Sequence, residues 1–255
     1  SQDEGGIYTL NAARSFQTFV RETDNLLVFD NDAWRKTGES IEGGYDKINE
    51  EIVRRFGVLF GAGEISGGDA VGESVVDSSE IINTLTGGGI STVGFASETV
   101  ETTDDTGGLL SRFTGNDDDG IQDSANTTNR ITSLVRKATL GRLTLPCEVE
   151  GTERALVVLS GPPEHLNRKG IERARKWLEE QTGSMEVRGG DYPIPHGDTV
   201  AAAVLLSGTT NIPRIKELQR VAIEAQENIE SLRAESEANL QQLVKDEDAE
   251  LEPLF

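Results

Sequence analysis

Asn25-Leu26-Leu27-Val28-Phe29-Asp30-Asn31-Asp32 is the stretch that decides the fold. Residues 25–29 form a short apolar run bounded by polar residues, which reads as a buried strand. Asp30-Asn31-Asp32 then ends it in a turn. Upstream, Ile7, Leu10, Ala13, Phe16, Phe19 and Val20 recur at helical spacing and predict a helix over 7–22. Downstream, Ile48, Ile52, Val53, Phe56 and Leu59 predict a second helix over 45–60. Gly57 inside it costs about 1 kcal/mol relative to alanine, which that apolar side must outweigh. Helix, buried strand, turn and helix make an α/β opening.

The remainder changes character. Gly61-Ala62-Gly63 and Gly67-Gly68 close the second helix, and a third is expected from Asp77 to Gly87-Gly88-Gly89. A strand follows over 90–96. Residues 98–128 are rich in Gly, Asp, Asn, Thr and Ser, with Asn116-Asp117-Asp118-Asp119-Gly120 among them, and read as a long acidic loop. Helical periodicity returns over 129–140. Strands are expected at 154–159, 185–187 and 199–206, with a helix over 167–181. Pro213 suits the first position of a final helix reaching about 245. There Ile215, Leu218, Ala222, Ala225, Ile229 and Leu232 follow a seven-residue repeat. An acidic tail, 246–255, ends in Pro253-Leu254-Phe255. The expected class is α/β followed by α+β with a mixed sheet.

Composition narrows the function classes. The 255 residues, 27.5 kDa, allow one large domain or two modest ones, each able to bury a core. No apolar run approaches the roughly 20 residues of a membrane span, so a cytoplasmic chain without direct membrane insertion is expected. The single cysteine, Cys147, excludes an internal disulfide and a cysteine-based zinc site, and two histidines leave little for a histidine metal cluster. The net charge of -21 and pI near 4.4 disfavour nucleic acid and anionic membrane as partners, because both need a basic face. Only seven residues are lysine, so arginine carries most of the positive charge. A carboxylate-dense surface with scarce lysine suits a salt-rich cytoplasm, where screening quiets self-repulsion; an ordinary acidic cytosolic protein has the same composition. Ser1-Gln2-Asp3-Glu4 opens acidic, unlike a basic secretory leader, and a start at Ser1 suggests the downstream part of a longer protein.

Few residues suggest chemistry. Gly87-Gly88-Gly89 is not a phosphate loop, since it follows a helix and lacks a Lys-Ser/Thr, whereas a phosphate cradle opens a helix. His165 and His196 lie far from Cys147 and accompany no serine-nucleophile motif, so each reads as structural. Asp77-Ser78-Ser79-Glu80 has two readings. It fits a capping box, in which Asp77 accepts the third amide and Glu80 returns to the cap amide. It also fits a pair of carboxylates on the lip of a helix, able to orient a water and hold a hydrated cation against a polyphosphate. Spacing cannot separate the two. Tyr45 and Asn49 share one helix face, where a ring can stack on a purine and an amide can meet its edge; the plainer reading is a half-buried tyrosine beside a surface asparagine. Asn31 is a further base-contact candidate, or simply a turn former.

Together these segments resemble the tubulin/FtsZ superfamily, most closely its archaeal branch, the CetZ proteins. The run Glu22 to Trp34 is similar to the family segment ending in an Asp-Asn-Glu or Pro-Asn-Asp turn, whose asparagine touches guanine; that role falls on Asn31. Gly44-Tyr45-Asp46-Lys47-Ile48-Asn49 resembles the start of the family's central helix, where Tyr45 and Asn49 would hold guanine. Val75-Val76-Asp77-Ser78-Ser79-Glu80 resembles the loop that completes the neighbouring subunit's active site, with Asp77 and Glu80 as its two carboxylates. Val75 departs where the family often has asparagine. Glu4 matches the ribose-contacting glutamate. The glycine-rich GGGTGSG phosphate signature is missing and would lie upstream of Ser1.

The resemblance implies that residues 1–64 are the end of a Rossmann-like GTPase domain plus the central helix. It makes 65–245 a tubulin/FtsZ-type C-terminal activation domain, with 246–255 as a tail. It implies GTP/GDP as the ligand and a divalent cation, Mg, held mainly by the nucleotide. It further implies hydrolysis on head-to-tail polymerisation with copies of the same chain, partner proteins at the C-terminal tail, and a role in cell shape. A chain lacking the phosphate loops is expected to be inactive alone. The competing expectation is a non-catalytic acidic interaction module, in which Asp77 and Glu80 are only a capping box.

Overall fold

The computed structural model describes residues 6–34, 41–64, 76–100 and 117–250. The chain divides into two compact units, one spanning Val20–Pro213 and the other drawn from the terminal stretches up to Phe19 and from Arg214.

The larger unit is built on a five-stranded mixed sheet. Its strands are β1 (Leu26–Leu27), β2 (Ile90–Thr99), β3 (Arg154–Gly161), β4 (Glu186–Pro193) and β5 (Thr199–Ser207), in the order β1-β2-β5-β3-β4. The two outer pairs, β1 with β2 and β3 with β4, are parallel, and β5 runs antiparallel to both its neighbours. Alternate residues of one strand point to opposite faces, and both faces are covered. Ala155, Val157 and Leu159 of β3 bury with Ile131, Leu134, Ile171 and Leu178 from α5 (Asp117–Leu140) and α6 (Arg168–Thr182). Leu156 and Val158 bury on the other face with Leu59, Ala62 and Ile81 from α3 (Ile41–Glu64) and α4 (Ser78–Leu85). A four-residue α2 (Asn31–Trp34) follows β1.

Local chemistry sets the boundaries. α3 buries Gly44, Ile48, Arg55, Leu59 and Ala62, a stripe at steps of three, four and seven, while Val53 and Phe60 are exposed. α6 starts where the Asn167 side chain accepts the Gly170 amide at 2.6 Å, and stops at Gly183 with φ 71°. Gly88 and Gly89 have φ of 78° and 80°, as a glycine helix stop after α4 requires.

Several expectations change. Gly61-Ala62-Gly63, expected to close the second helix, lie inside α3, which runs on to Glu64. The strand expected over 25–29 pairs only at Leu26–Leu27, because Asp30 turns away and its amide bonds Thr144 O at 2.7 Å. The helix expected from 129 starts at Asp117, so the second part of the expected acidic loop is helical. Residues 101–116 of that loop lie outside the described residues. The strand expected over 185–187 extends to Pro193 through Gly189-Gly190. A Cβ on Gly189 would crowd the Arg175 stem at 3.1 Å and Val157 O at 3.2 Å, so a larger residue would need its neighbours to shift by a few tenths of an ångström.

In the smaller unit, α1 spans Gly6–Glu22 with Ile7, Tyr8 and Phe19 exposed. α7 spans Pro213–Glu250, so the expected tail is helical to Glu250, and 251–255 lie outside the described residues. Its stripe is partly buried as far as Ile229 and open at Leu232. No helix among the described residues is long and apolar enough to cross a membrane.

Candidate functional site

The two acids stand at the start of α4. Asp77, with φ -110° and ψ 169°, is the N-cap. Its Oδ1 accepts the Glu80 amide at 3.0 Å and the Ser79 hydroxyl at 2.5 Å. These bonds, the serine's foremost, hold the exposed Asp77 carboxyl below the usual aspartate range. Glu80 sits one turn on and is partly buried. Burial first, then the charge of Asp77, pushes its carboxyl above the usual glutamate range, against the pull of Arg188 and Arg175. Half of the capping box is formed: no hydrogen bond returns from the Glu80 carboxylate to the cap amide. Asp77 is committed to the backbone, and among the described residues the Glu80 carboxylate makes no hydrogen bond.

α4 is held rigidly from several sides. The amide of Val76, just before the cap, donates to Asp191 O at the end of β4 at 3.1 Å. Arg154 Nη1 donates to Asn83 O at 3.1 Å while its Nε pairs with Glu186 at 2.7 Å. At the far end, Asn25 Nδ2 donates to Leu85 O at 3.0 Å and Gly88 O at 3.2 Å, and its Oδ1 accepts the Ser91 hydroxyl at 2.7 Å. Asn25 thereby ties the first strand to α4 and β2. Its place beside an apolar run signals a strand boundary and nothing of this long-range role.

The base-contact candidates lie elsewhere. Tyr45 is 44% exposed and Asn49 is exposed, both off the buried stripe of α3 and one turn apart. Asn31 is exposed at the first position of α2, in a turn closed by the Asp32 amide on Asp30 Oδ1 at 3.1 Å. An open ring face with an amide one turn on suits the face and edge of a purine, while Asn31 stands on a separate element, α2. Glu4 lies outside the described residues. Tyr45 and Asn49 lie in the first half of α3. Val76 and Ile81, flanking the acid pair, bury in one cluster with Leu59 and Ala62 near its other end. At 1.5 Å per residue this separates the two sets by roughly 15–25 Å along the helix.

His165 takes part in a 3.3 Å contact with Arg130, and His196 has φ 65° at the β4–β5 connection; neither faces a nucleophile. Burial pushes the Cys147 thiol up to about 11, so it stays protonated. Among the described residues, no group of three or more His, Cys, Asp or Glu gathers to hold a metal ion. The pairing of Trp34 with Arg55, whose guanidinium lies 4.3 Å above the indole, escaped the sequence reading, as 20 residues of chain hide it.

Residues 38–224 match the family described as Tubulin-like CetZ, C-terminal domain. The chain is 78% identical over 233 residues to tubulin-like protein CetZ1 of Haloferax volcanii, covering 91% of this chain and 59% of that relative. The structure is similar to the GDP-bound CetZ1 monomer from the same organism, with a TM-score of 0.71 at 71% identity, covering 88% of this chain and 57% of that one. It is equally similar, TM-score 0.71 at 41% identity, to the GTPgS-bound protofilament of Haloferax volcanii CetZ2, covering 89% and 59%. The chain spans about three fifths of these relatives' length. On the matched span, the identity and the shared mixed sheet, this chain belongs to the tubulin-like CetZ family.

Proposed function

We propose that this chain is part of a cytoplasmic, CetZ-type cytoskeletal GTPase that polymerises head to tail and hydrolyses GTP at a site shared between adjoining subunits, helping to control cell shape. The observation that carries the reading is the separation of the two residue sets. An exposed Asp77 and a partly buried Glu80 near one end of α3, and base-contact residues near the other, cannot serve one pocket within one copy, yet they would meet when copies stack. A GTPgS-bound protofilament of a relative and a GDP-bound monomer of another support the ligand and the assembly.

Asn31, Tyr45 and Asn49 hold guanine, and the phosphate cradle belongs to the part of the family's length that this chain does not span. The nucleotide, with a divalent cation such as magnesium, supplies the bond to be broken and the charge to be neutralised. Glu80 enters the neighbour's pocket, where it accepts hydrogen bonds from the attacking water and turns its lone pair toward the phosphorus. Asp77 fixes the first turn of α4, so the Glu80 carboxylate is positioned before the subunits meet. Open head-to-tail contacts of this kind build filaments, coupling turnover to assembly. The dense negative charge suits a salt-rich cytoplasm, as in the Haloferax relatives. In the complete gene product, Glu80→Ala should leave GTP affinity near normal and abolish turnover; equal loss of both would overturn the role given to Glu80.

A further inference from the structure

The turn that carries Asn31 cannot hold its own position. β1 is two residues long and α2 four, far short of a self-supporting helix. Its place must come from tertiary contacts, and these converge on Trp34, the last residue of α2. Two guanidinium groups lie over the indole, Arg55 at 4.3 Å and Arg142 at 5.0 Å from the ring centroid. Its Nε1 donates to Leu143 O at 3.3 Å, and Phe29, on the near side of the turn, packs its ring 5.3 Å away.

Arg55 is the unusual member. It is 3% exposed, and its Nε finds no hydrogen-bond partner. Its Nη1 donates to Glu51 O at 3.1 Å and pairs with the Glu51 carboxylate, and Nη2 reaches Arg142 O at 3.4 Å. Phe95 of β2 lies 5.7 Å from the guanidinium on a further side. A buried, incompletely bonded guanidinium is a costly way to fill space that leucine or methionine would fill without penalty. What arginine adds is a planar cation that stacks on an indole while its fork bonds its own helix at Glu51 and one other segment at Arg142.

We propose that the Arg55–Trp34–Arg142 stack is a positioning device that fixes the Asn31 turn against the central helix and so sets guanine-nucleotide affinity. It rests on the base-contact reading of Asn31, Tyr45 and Asn49 given above. Trp34 and Arg55 are positioning residues: they touch the elements that carry the contacts. The stack also reaches the 141–145 segment, where the Asp30 amide bonds Thr144 O at 2.7 Å, so the turn is pinned on two sides.

The test uses the complete gene product, with GDP affinity from titration and steady-state GTP turnover. Trp34→Leu should weaken GDP binding about tenfold or more and raise KM in step, with kcat at saturation nearly kept, because a displaced contact costs binding while the acids stand on another element. Trp34→Phe, which keeps a ring beside the arginines, should restore most of the affinity. Should Trp34→Leu fail to fold, Arg142→Gln removes one guanidinium of the stack at an exposed position and should still raise KM. A folded Trp34→Leu protein with unchanged GDP affinity, or Trp34→Phe as weak as Trp34→Leu, would overturn the proposal. Tyr45→Ala run alongside separates the two ideas: if it weakens binding and Trp34→Leu does not, the stack alone fails; if neither does, the base site itself is misplaced.

Discussion

Asp77 Oδ1 accepts the Glu80 amide at 3.0 Å, and the Glu80 carboxylate gives nothing back. A structural capping box is reciprocal, so two carboxylates at capping spacing here do different work. Asp77 answers the backbone. Glu80 is held at a fixed place and, among the described residues, its carboxylate accepts no hydrogen bond, although burial raises the cost of its charge.

This division predicts different outcomes at the two acids. Asparagine caps as well as aspartate, whereas alanine does not. Asp77→Asn should therefore keep the melting temperature of the parent, and Asp77→Ala should lower it; thermal unfolding by circular dichroism reads both. Equal melting temperatures for Asn and Ala would show that the cap bond adds nothing to stability.

The acid limb of GTP turnover should report Glu80. Its folded-state carboxyl titrates above the usual glutamate range, and only the ionised form accepts hydrogen bonds from water, so turnover falls on acidification at a higher pH than an ordinary glutamate would give. Arg188 draws that value down, so Arg188→Gln should move the limb further up. For stability the sign reverses. A raised folded value favours the protonated fold, and that advantage is lost as pH climbs through the Glu80 range. Asp77 is depressed; its contribution is present above the unfolded aspartate range and lost as pH falls through the folded value. A turnover profile unmoved by Arg188→Gln would contradict the assignment.

Tyr45→Ala should weaken GDP or GTP affinity by roughly 1–3 kcal/mol, the range for losing a base-stacking ring. The ring is exposed and off the buried stripe, so the melting temperature should hardly change. Titration calorimetry on the complete gene product measures the first and thermal unfolding the second. Unaltered affinity would return Tyr45 to a surface side chain.

Gly94 tests the packing of the sheet. A Cβ there would lie 2.0 Å from Ala138 O and 2.8 Å from its carbonyl carbon, where β2 meets α5. Gly94→Ala forces strand and helix apart, at a cost of about 1–3 kcal/mol or more. A melting temperature equal to the parent's would show that the two elements sit further apart than described.

Much of the architecture was readable from the chain alone. The 3.6 spacing in α3, the Asp77 cap and the Gly88-Gly89 stop are local signals, and each lands within a few residues of its place. Tertiary context overrode local preference elsewhere. Gly189-Gly190 lacks strand-forming side chains, yet β4 runs through it because its backbone pairs with Val157 and Val158 of β3. The first part of α5 is made of poor helix formers and shows no apolar period. The site was half legible. Residue types and spacing named Asp77 with Glu80 and Tyr45 with Asn49, since both pairs lie within one helical turn. That only one half of the capping box closes depends on side-chain placement, and Asn25 and the Trp34 stack join segments tens of residues apart. No periodicity carries such links.

The central claim is that each active site takes its base contacts from one subunit and its carboxylate from the next. Mixing two disabled proteins tests it most directly. Glu80→Ala subunits retain the nucleotide side, and subunits carrying Tyr45→Ala with Asn49→Ala retain the carboxylate side. Each alone should be nearly inactive in GTP turnover at the concentrations used. Combined, they should regain part of the parent's rate, because some junctions pair the intact half of one with the intact half of the other. A mixture as inactive as its components, while the two proteins still co-polymerise, would contradict a shared site.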